Sequence, residues 1–306
     1  MKNKVLLGSI FVAFCSLFLY LTNTARVENT ELRIKESNSS KINSHKNSNF
    51  KSSTESSDIS PDSLKKADSS NASLANTIIQ NIDNATSPIQ VATQNLGDEE
   101  QSANIKNIDQ PQDVNSVLKL FVLIAYEKEN KASQNFKVNS EDVQPNDSAL
   151  QAGVEYSGSF LKNLMMHQNN NDAANVLLHA IGKEKVNEVA KNIGASETEI
   201  TGKFDEDKVG KTTADDLELV LKKLYQGKIK NTNEDNQVLD QLKNYPEKGL
   251  ASQVSGTVYR ISDKYASVAL VKSENGKTYI MSSVSGKEGF NFEKVGTAIN
   301  SWYSGH

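Results

Sequence analysis

From Val117 to Tyr126 the chain reads VLKLFVLIAY, and Lys119 is its one charged residue. A surface helix needs an apolar stripe, not an apolar circumference. The segment therefore predicts a helix enclosed on every side, which requires several other elements packed around it. Ser116 stands at the mouth of this run and Lys119 three places on. On a helix that spacing puts both side chains on one face. A helix N-terminus adds a partial positive potential that favours a developing oxyanion. A desolvated lysine loses its proton more readily than a solvated one and can serve as base to a serine. A serine cap beside a lysine that reaches for solvent explains the same residues without chemistry.

Spacing alone does not choose between these readings, because Ser-x-x-Lys also occurs at Ser48–Lys51, Ser63–Lys66 and Ser159–Lys162. The first two lie in a polar tract that cannot hold them rigidly, and the third lies on an amphipathic helix whose charged face predicts solvation. Ser116–Lys119 is the pair that begins an otherwise apolar helix.

The elements able to enclose that helix follow in order. LANTIIQNI predicts a first helix, and PIQVATQNL a strand leading through Gly97-Asp98-Glu99 into a second. YSGSFLKNLMMHQ (156–168) predicts a helix begun by Ser157 or Ser159; NDAANVLLHAIG (171–182) and KEKVNEVAKNIG (183–194) predict helices ended by glycine. TTADDLELVLKKLYQG (212–227) carries a threonine cap, acids in its first turn and a terminal glycine. SGTVYRIS, YASVALVKS and KTYIMSSVS predict strands, the last two joined through Glu274-Asn275-Gly276, and FEKVGTAINSWYS predicts a closing helix. Strands at both ends and helices between them imply an α+β fold whose early and late strands share one antiparallel sheet around a helical middle.

Three regions are expected along the 306 residues. Lys2 and Lys4 precede an uncharged run from Val5 to Thr22, close to the ~20 residues that cross a bilayer. This charge order leaves the N-terminus inside and the rest outside. A cleavage after Ala25 would place Asn23 at −3, and bulky Phe14 precedes Cys15, so neither signal-peptide nor lipoprotein processing fits well. Residues 1–26 are read as a membrane anchor, with a removed signal peptide as the alternative; either way the C-terminal part is exported. Residues 27–70, rich in Ser and Asn, bury too little to offset their ordering entropy and are read as a disordered linker. Residues 71–306 form the domain.

A net charge of −4 and 7 % aromatic residues argue against a nucleic-acid surface. Cys15 is the sole cysteine, and His45, His167, His179 and His306 form no HxH or HxxxH pair, so neither a metal nor a cofactor is expected. His167 reads as a helix-end histidine with a local hydrogen bond.

The stretch from Ser116 to Gly182 resembles the serine β-lactamase and penicillin-binding-protein family, especially its class A-like members. Ser116-Val-Leu-Lys119 looks like the family's SxxK, and GVEYSGSFLKNLMMHQNNNDAANVLLHAIG resembles the segment carrying its Ser-Asp-Asn motif. TTADDL resembles the helix entry after the family's Ω loop, and the likeness covers roughly residues 74 to 306. It implies a β-lactamase/transpeptidase-like fold in which Ser116 attacks a β-lactam or a D-Ala peptide to give an acyl-serine, with Lys119 as base. The second motif falls on Asn169-Asn170-Asn171: Asn171 would hold the substrate and the lysine, while Asn169 replaces the proton-shuttling serine. The third motif, Lys-Thr/Ser-Gly, falls in ASQVSGT, which implies Ser255, Gly256 and Thr257 as substrate-binding residues and the Ser116 N–H and the strand near Thr257 as oxyanion donors. Val254 replaces that motif's lysine, removing a charge-assisted contact of roughly 1.5–3 kcal/mol. The family's deacylating Ω-loop glutamate has no clear counterpart; a gapless reading places Phe204 there. Glu197, Glu199, Asp205 and Glu206 read as solvated loop charges. The resemblance thus implies an exported, membrane-tethered serine hydrolase, stronger in acylation than in turnover, acting on a small molecule or a peptidoglycan peptide. The alternative is a catalytically silent member of the fold that binds wall peptides or a partner protein in the cell envelope, and a third reading is a purely structural envelope domain.

Overall fold

The computed structural model describes residues 64–83, 87–129, 131–144 and 148–306. The anchor and most of the linker lie outside the described residues. The helices are α1 (Ala72–Gln80), α2 (Lys119–Lys128), α3 (Gly158–His167), α4 (Asn171–Ile181), α5 (Lys183–Asn192), α6 (Ala214–Tyr225), α7 (Thr232–Leu242) and α8 (Phe292–Gly305). The strands are β1 (Lys65–Lys66), β2 (Gln90–Asn95), β3 (Asp98–Lys106), β4 (Gln112–Val114), β5 (Asn135–Lys137), β6 (Glu155–Ser157), β7 (Glu199–Ile200), β8 (Gly210–Thr212), β9 (Thr257–Ser262), β10 (Ala266–Lys272) and β11 (Thr278–Val284).

Six strands form one antiparallel sheet in the order β1-β3-β2-β11-β10-β9, so strands from both ends of the domain do share a sheet. Its central strands carry apolar residues on both faces because both faces are covered. Along β10, Val268 and Leu270 enter the core shared with the helical middle, while Ala269 and Val271 enter a second core under α1 and α8. That alternation is the two-residue period of a strand read against two different partners. α2 is enclosed as its composition requires: every residue from Lys119 to Tyr126 is buried, and α4, α5 and α7 pack around it.

Local capping follows the sequence closely. The Ser157 hydroxyl accepts the Phe160 N–H and settles which serine begins α3. Thr213 caps α6, and Gly182, at φ 92°, ends α4. The short strands β4 to β8 were not expected from sequence, and three further features depart from expectation. Lys65–Lys66, assigned to the linker, pair with β3 at the sheet edge. Lys162 does not lie on a solvated face; its Nζ sits 2.8 Å from Glu127 Oε1, both side chains are mostly buried, and the pair ties α3 to α2. The helix α7 was not expected, because its buried apolar residues Val238, Leu239 and Leu242 stand in an otherwise acidic and amide-rich stretch.

α6 lies on β2 and β11, and its Glu218 turns a carboxyl oxygen into that contact with no partner among the described residues. Burial pushes this carboxyl up to about 8, with the Asp215 charge adding to the rise. A folded-state value above the unfolded one favours the protonated protein, so this contribution is complete below the unfolded value, near 4.5, and is lost as pH rises through about 8. Glu218→Gln should therefore melt higher than the parent at pH 9, with the gap closing towards pH 5; differential scanning fluorimetry across that range checks it.

Candidate active site

Ser116 opens a single 3₁₀ turn, Ser116–Leu118, that runs into α2 at Lys119. The turn has no side-chain cap of its own. Asp263, at the end of β9, caps it from a distance. Its Oδ2 accepts the N–H groups of Asn115 (3.1 Å) and Val117 (2.9 Å), and its Oδ1 accepts those of Tyr265 (2.7 Å) and Ala266 (2.8 Å). Burial raises the pKa of this carboxyl, and the four amide donors oppose that rise. Four donors and no acceptor leave no place for a proton, so the group is held as a carboxylate. The Ser116 N–H, between two amides that Asp263 engages, has no acceptor among the described residues and is available to an oxyanion.

The three consecutive asparagines of the α3–α4 connection perform three different tasks. Asn169 adopts a left-handed backbone, φ 52°, which asparagine tolerates better than most residues. Asn170 caps α4 by accepting the Ala173 N–H at 2.7 Å. Asn171 turns its Oδ1 to Lys119. The Lys119 ammonium donates to Asn171 Oδ1 (2.7 Å), to Asn169 Oδ1 (2.6 Å) and to the Asn169 carbonyl (2.7 Å). Lys119 is fully buried, and burial lowers its pKa to about 7, against the opposing Asp263 charge. Ser116 is 7 % exposed, and its hydroxyl donates to Asn115 Oδ1 at 3.1 Å.

A tyrosine completes the cluster. Tyr245, on the connection after α7, is fully buried. Its hydroxyl donates to Asn169 Oδ1 at 2.7 Å and lies beside the Ser116 side chain. Burial raises the phenol well above its ordinary value. No local pattern marked this residue; the one sequence signal is Pro246, which holds its predecessor extended and ends the preceding helix.

Ser116, Lys119 and Asn171 thus come together, and Ser255, Gly256 and Thr257 do not join them. Thr257 pairs with Lys272 at one end of β9, while Asp263, beside Ser116, follows the other end. Six residue steps of strand separate the two by about 20 Å. Gly256 has a structural reason to be glycine: at φ 101° a Cβ there would lie 2.4 Å from the Lys272 carbonyl. The expected oxyanion donor near Thr257 moves with the correction, and the β9 residues next to the turn are Ile261 and Ser262.

Opposite the lysine stands Phe204. Its ring is fully buried with its centroid 5.6 Å from Lys119 Nζ, and its N–H donates to Asn175 Oδ1 at 2.8 Å. Asn171 and Asn175 share one face of α4, so one helix face holds both the lysine and the loop across from it. Glu197, Glu199, Asp205 and Glu206 are exposed; the Asp205 carboxylate accepts Gln144 Nε2 at 2.7 Å and that of Glu206 accepts the Lys203 N–H at 3.1 Å. His167 does end α3, but its Nε2 is buried without a partner among the described residues. Among the described residues, Glu141, Asp142 and His179 bring ligand atoms within 4.8 Å of one another; His179 Nδ1 and Asp142 Oδ1 already share a hydrogen bond of 3.1 Å.

A sheet built from both chain ends, a helical middle and a serine–lysine turn between them define the class A-like serine β-lactamase fold. The family model described as the beta-lactamase enzyme family matches residues 73–301, and the chain belongs to that family. No curated protein matches it by sequence. Among solved structures it is similar to PBP-A, at TM-score 0.66 and 17 % identity over 76 % of this chain and 96 % of that one. A PBP-A mutant solved as an acyl-enzyme complex with penicillin G aligns at TM-score 0.63 and 18 % identity over 76 % and 96 % of the two chains. The β-lactamase from Desulfarculus baarsii aligns at TM-score 0.65 and 15 % identity over 78 % and 99 %. At these identities the likeness is one of fold.

Asp263→Ala should strand several buried amides at once and lower stability by about 2–4 kcal/mol. Urea unfolding checks this, with Asp263→Asn expected to lose less because it keeps one accepting oxygen.

Proposed function

We propose that this protein is an exported, membrane-tethered serine hydrolase of the penicillin-recognising type, which takes up an acyl group on Ser116 and releases it slowly. The observation that carries the reading is the buried pair at the head of α2: a serine whose N–H has no acceptor among the described residues, and a lysine whose burial brings its pKa to about 7. At neutral pH a substantial share of such lysines is the free amine, which can accept the serine proton as the serine oxygen attacks a β-lactam or a D-Ala amide carbonyl. The Ser116 N–H then faces the new oxyanion. Release requires a positioned water, and Phe204, which the resemblance aligns with the family's deacylating glutamate, sets a hydrocarbon ring 5.6 Å from Lys119 Nζ. The acyl-enzyme of the PBP-A mutant makes penicillin G the natural first probe. The tether rests on Lys2, Lys4 and the uncharged run from Val5 to Thr22.

A second reading is a catalytically silent envelope module that retains the fold for binding. It is favoured by the bonds Lys119 makes: its three donors go to Asn169 and Asn171, while Ser116 donates to Asn115.

Intact-protein mass spectrometry separates the two. Full-length protein incubated with benzylpenicillin should gain one penicilloyl unit that persists for hours, and Ser116→Ala should gain none. The acylation rate should rise with pH through about 7 as Lys119 becomes the free amine. No adduct at millimolar antibiotic, and no reaction of Ser116 with other acyl donors, would favour the silent module.

A further inference from the structure

We infer that Tyr245 is a catalytic residue, its hydroxyl taking the proton-relay place that Asn169 has vacated in the second motif. The inference rests on the acyl-serine reading of Ser116. An amide does not pass a proton on at neutral pH, because its oxygen is too weakly basic to take one and its nitrogen could take one only by giving up resonance, whereas a hydroxyl accepts at oxygen and donates the proton it already holds. The site needs such a relay, since the Ser116 hydroxyl donates to Asn115 while the Lys119 nitrogen is held by Asn169 and Asn171. Tyr245 spans this gap. Its hydroxyl lies beside the Ser116 side chain and donates to Asn169 Oδ1 at 2.7 Å, the same oxygen that Lys119 Nζ meets at 2.6 Å. The phenol and the amine therefore converge on one oxygen, and the relay requires the phenol O–H to turn from that oxygen to the amine.

The step balances as follows. The Ser116 oxygen bonds to the substrate carbonyl carbon as its proton passes to the Tyr245 oxygen. The Tyr245 proton passes to the neutral Lys119 amine, and the carbonyl oxygen becomes the oxyanion at the Ser116 N–H. On collapse the carbon–nitrogen bond breaks, and the departing nitrogen takes a proton from Tyr245, which is resupplied by the Lys119 ammonium. The products are the acyl-serine and the amine. Burial keeps the phenol protonated throughout the neutral range, so Tyr245 acts as a two-way conduit and not as a phenolate base.

The test compares full-length parent, Tyr245→Phe and Ser116→Ala with two probes, benzylpenicillin and a fluorophosphonate that reports serine nucleophilicity without β-lactam recognition. Tyr245→Phe keeps the ring and removes only the hydroxyl. It should slow labelling of Ser116 by about a hundredfold, in the range expected for loss of a proton-transfer group, with its melting temperature within a few degrees of the parent. Labelling of Tyr245→Phe at the parental rate overturns the relay and leaves the acyl-serine reading standing. A parent unlabelled by either probe overturns both. A second measurement does not depend on the variant folding: the parent's acylation rate in mixtures of light and heavy water. Two protons in flight give a bowed dependence on deuterium fraction and support the relay, whereas a straight line overturns it.

Discussion

The Asp263 carboxylate joins two parts of the fold that the chain keeps far apart. Two of its bonds close the β9–β10 hairpin and two hold the turn that carries Ser116. The serine is thereby placed by the sheet as well as by its own helix. A 3₁₀ turn without a side-chain cap has exposed amide donors, and a single buried carboxylate from outside supplies what the local sequence does not. The arrangement also sets the electrostatics. The Asp263 charge opposes the burial-driven fall of the Lys119 pKa, so the group that holds the Ser116 turn also limits how easily Lys119 loses a proton.

The asparagine triplet shows how a motif can keep its backbone role while changing its chemistry. Asn171 still meets the lysine, Asn170 still starts a helix, and Asn169 takes a left-handed conformation that few other side chains accept at low cost. What is lost at Asn169 is a hydroxyl. Its amide oxygen instead becomes a meeting point for Lys119 and Tyr245. Both groups converge on that oxygen, so on the proposed relay the substitution would remove one function and gather the residue that replaces it.

The fold was largely legible because its signals are local: glycines after α4 and α5, capping residues before α3 and α6, and an oily run that had to be enclosed. The SxxK pair was legible as a helical spacing, a three-dimensional statement made in one dimension, whereas Asn171 was reached only through the resemblance of its segment to the family's second motif. The third motif misled because a serine–glycine pair entering a strand says nothing about which end of that strand faces the cleft. Gly256 answers to the Lys272 carbonyl against its backbone. Tyr245 was invisible because its partners lie far away in sequence, at Ser116 and Asn169, and because it follows the one helix whose sparse apolar residues gave no warning.

The dryness of the site acts in two opposite directions. A fully buried ring beside a fully buried lysine removes water from the ammonium, which lowers its pKa and leaves the amine free to accept a proton. The same exclusion denies water to an acyl-serine, whose hydrolysis needs a molecule held by a base on the side Phe204 fills. A carboxylate in that position would reverse both effects: it would raise the lysine pKa by its charge and draw water in. The exposed loop acids Asp205 and Glu206 stand next to Phe204 in sequence but turn outward to Gln144 and Lys203. On the proposed acyl-serine reading, uptake and release of an acyl group would be coupled through one loop position, where an apolar residue would favour the first at the expense of the second.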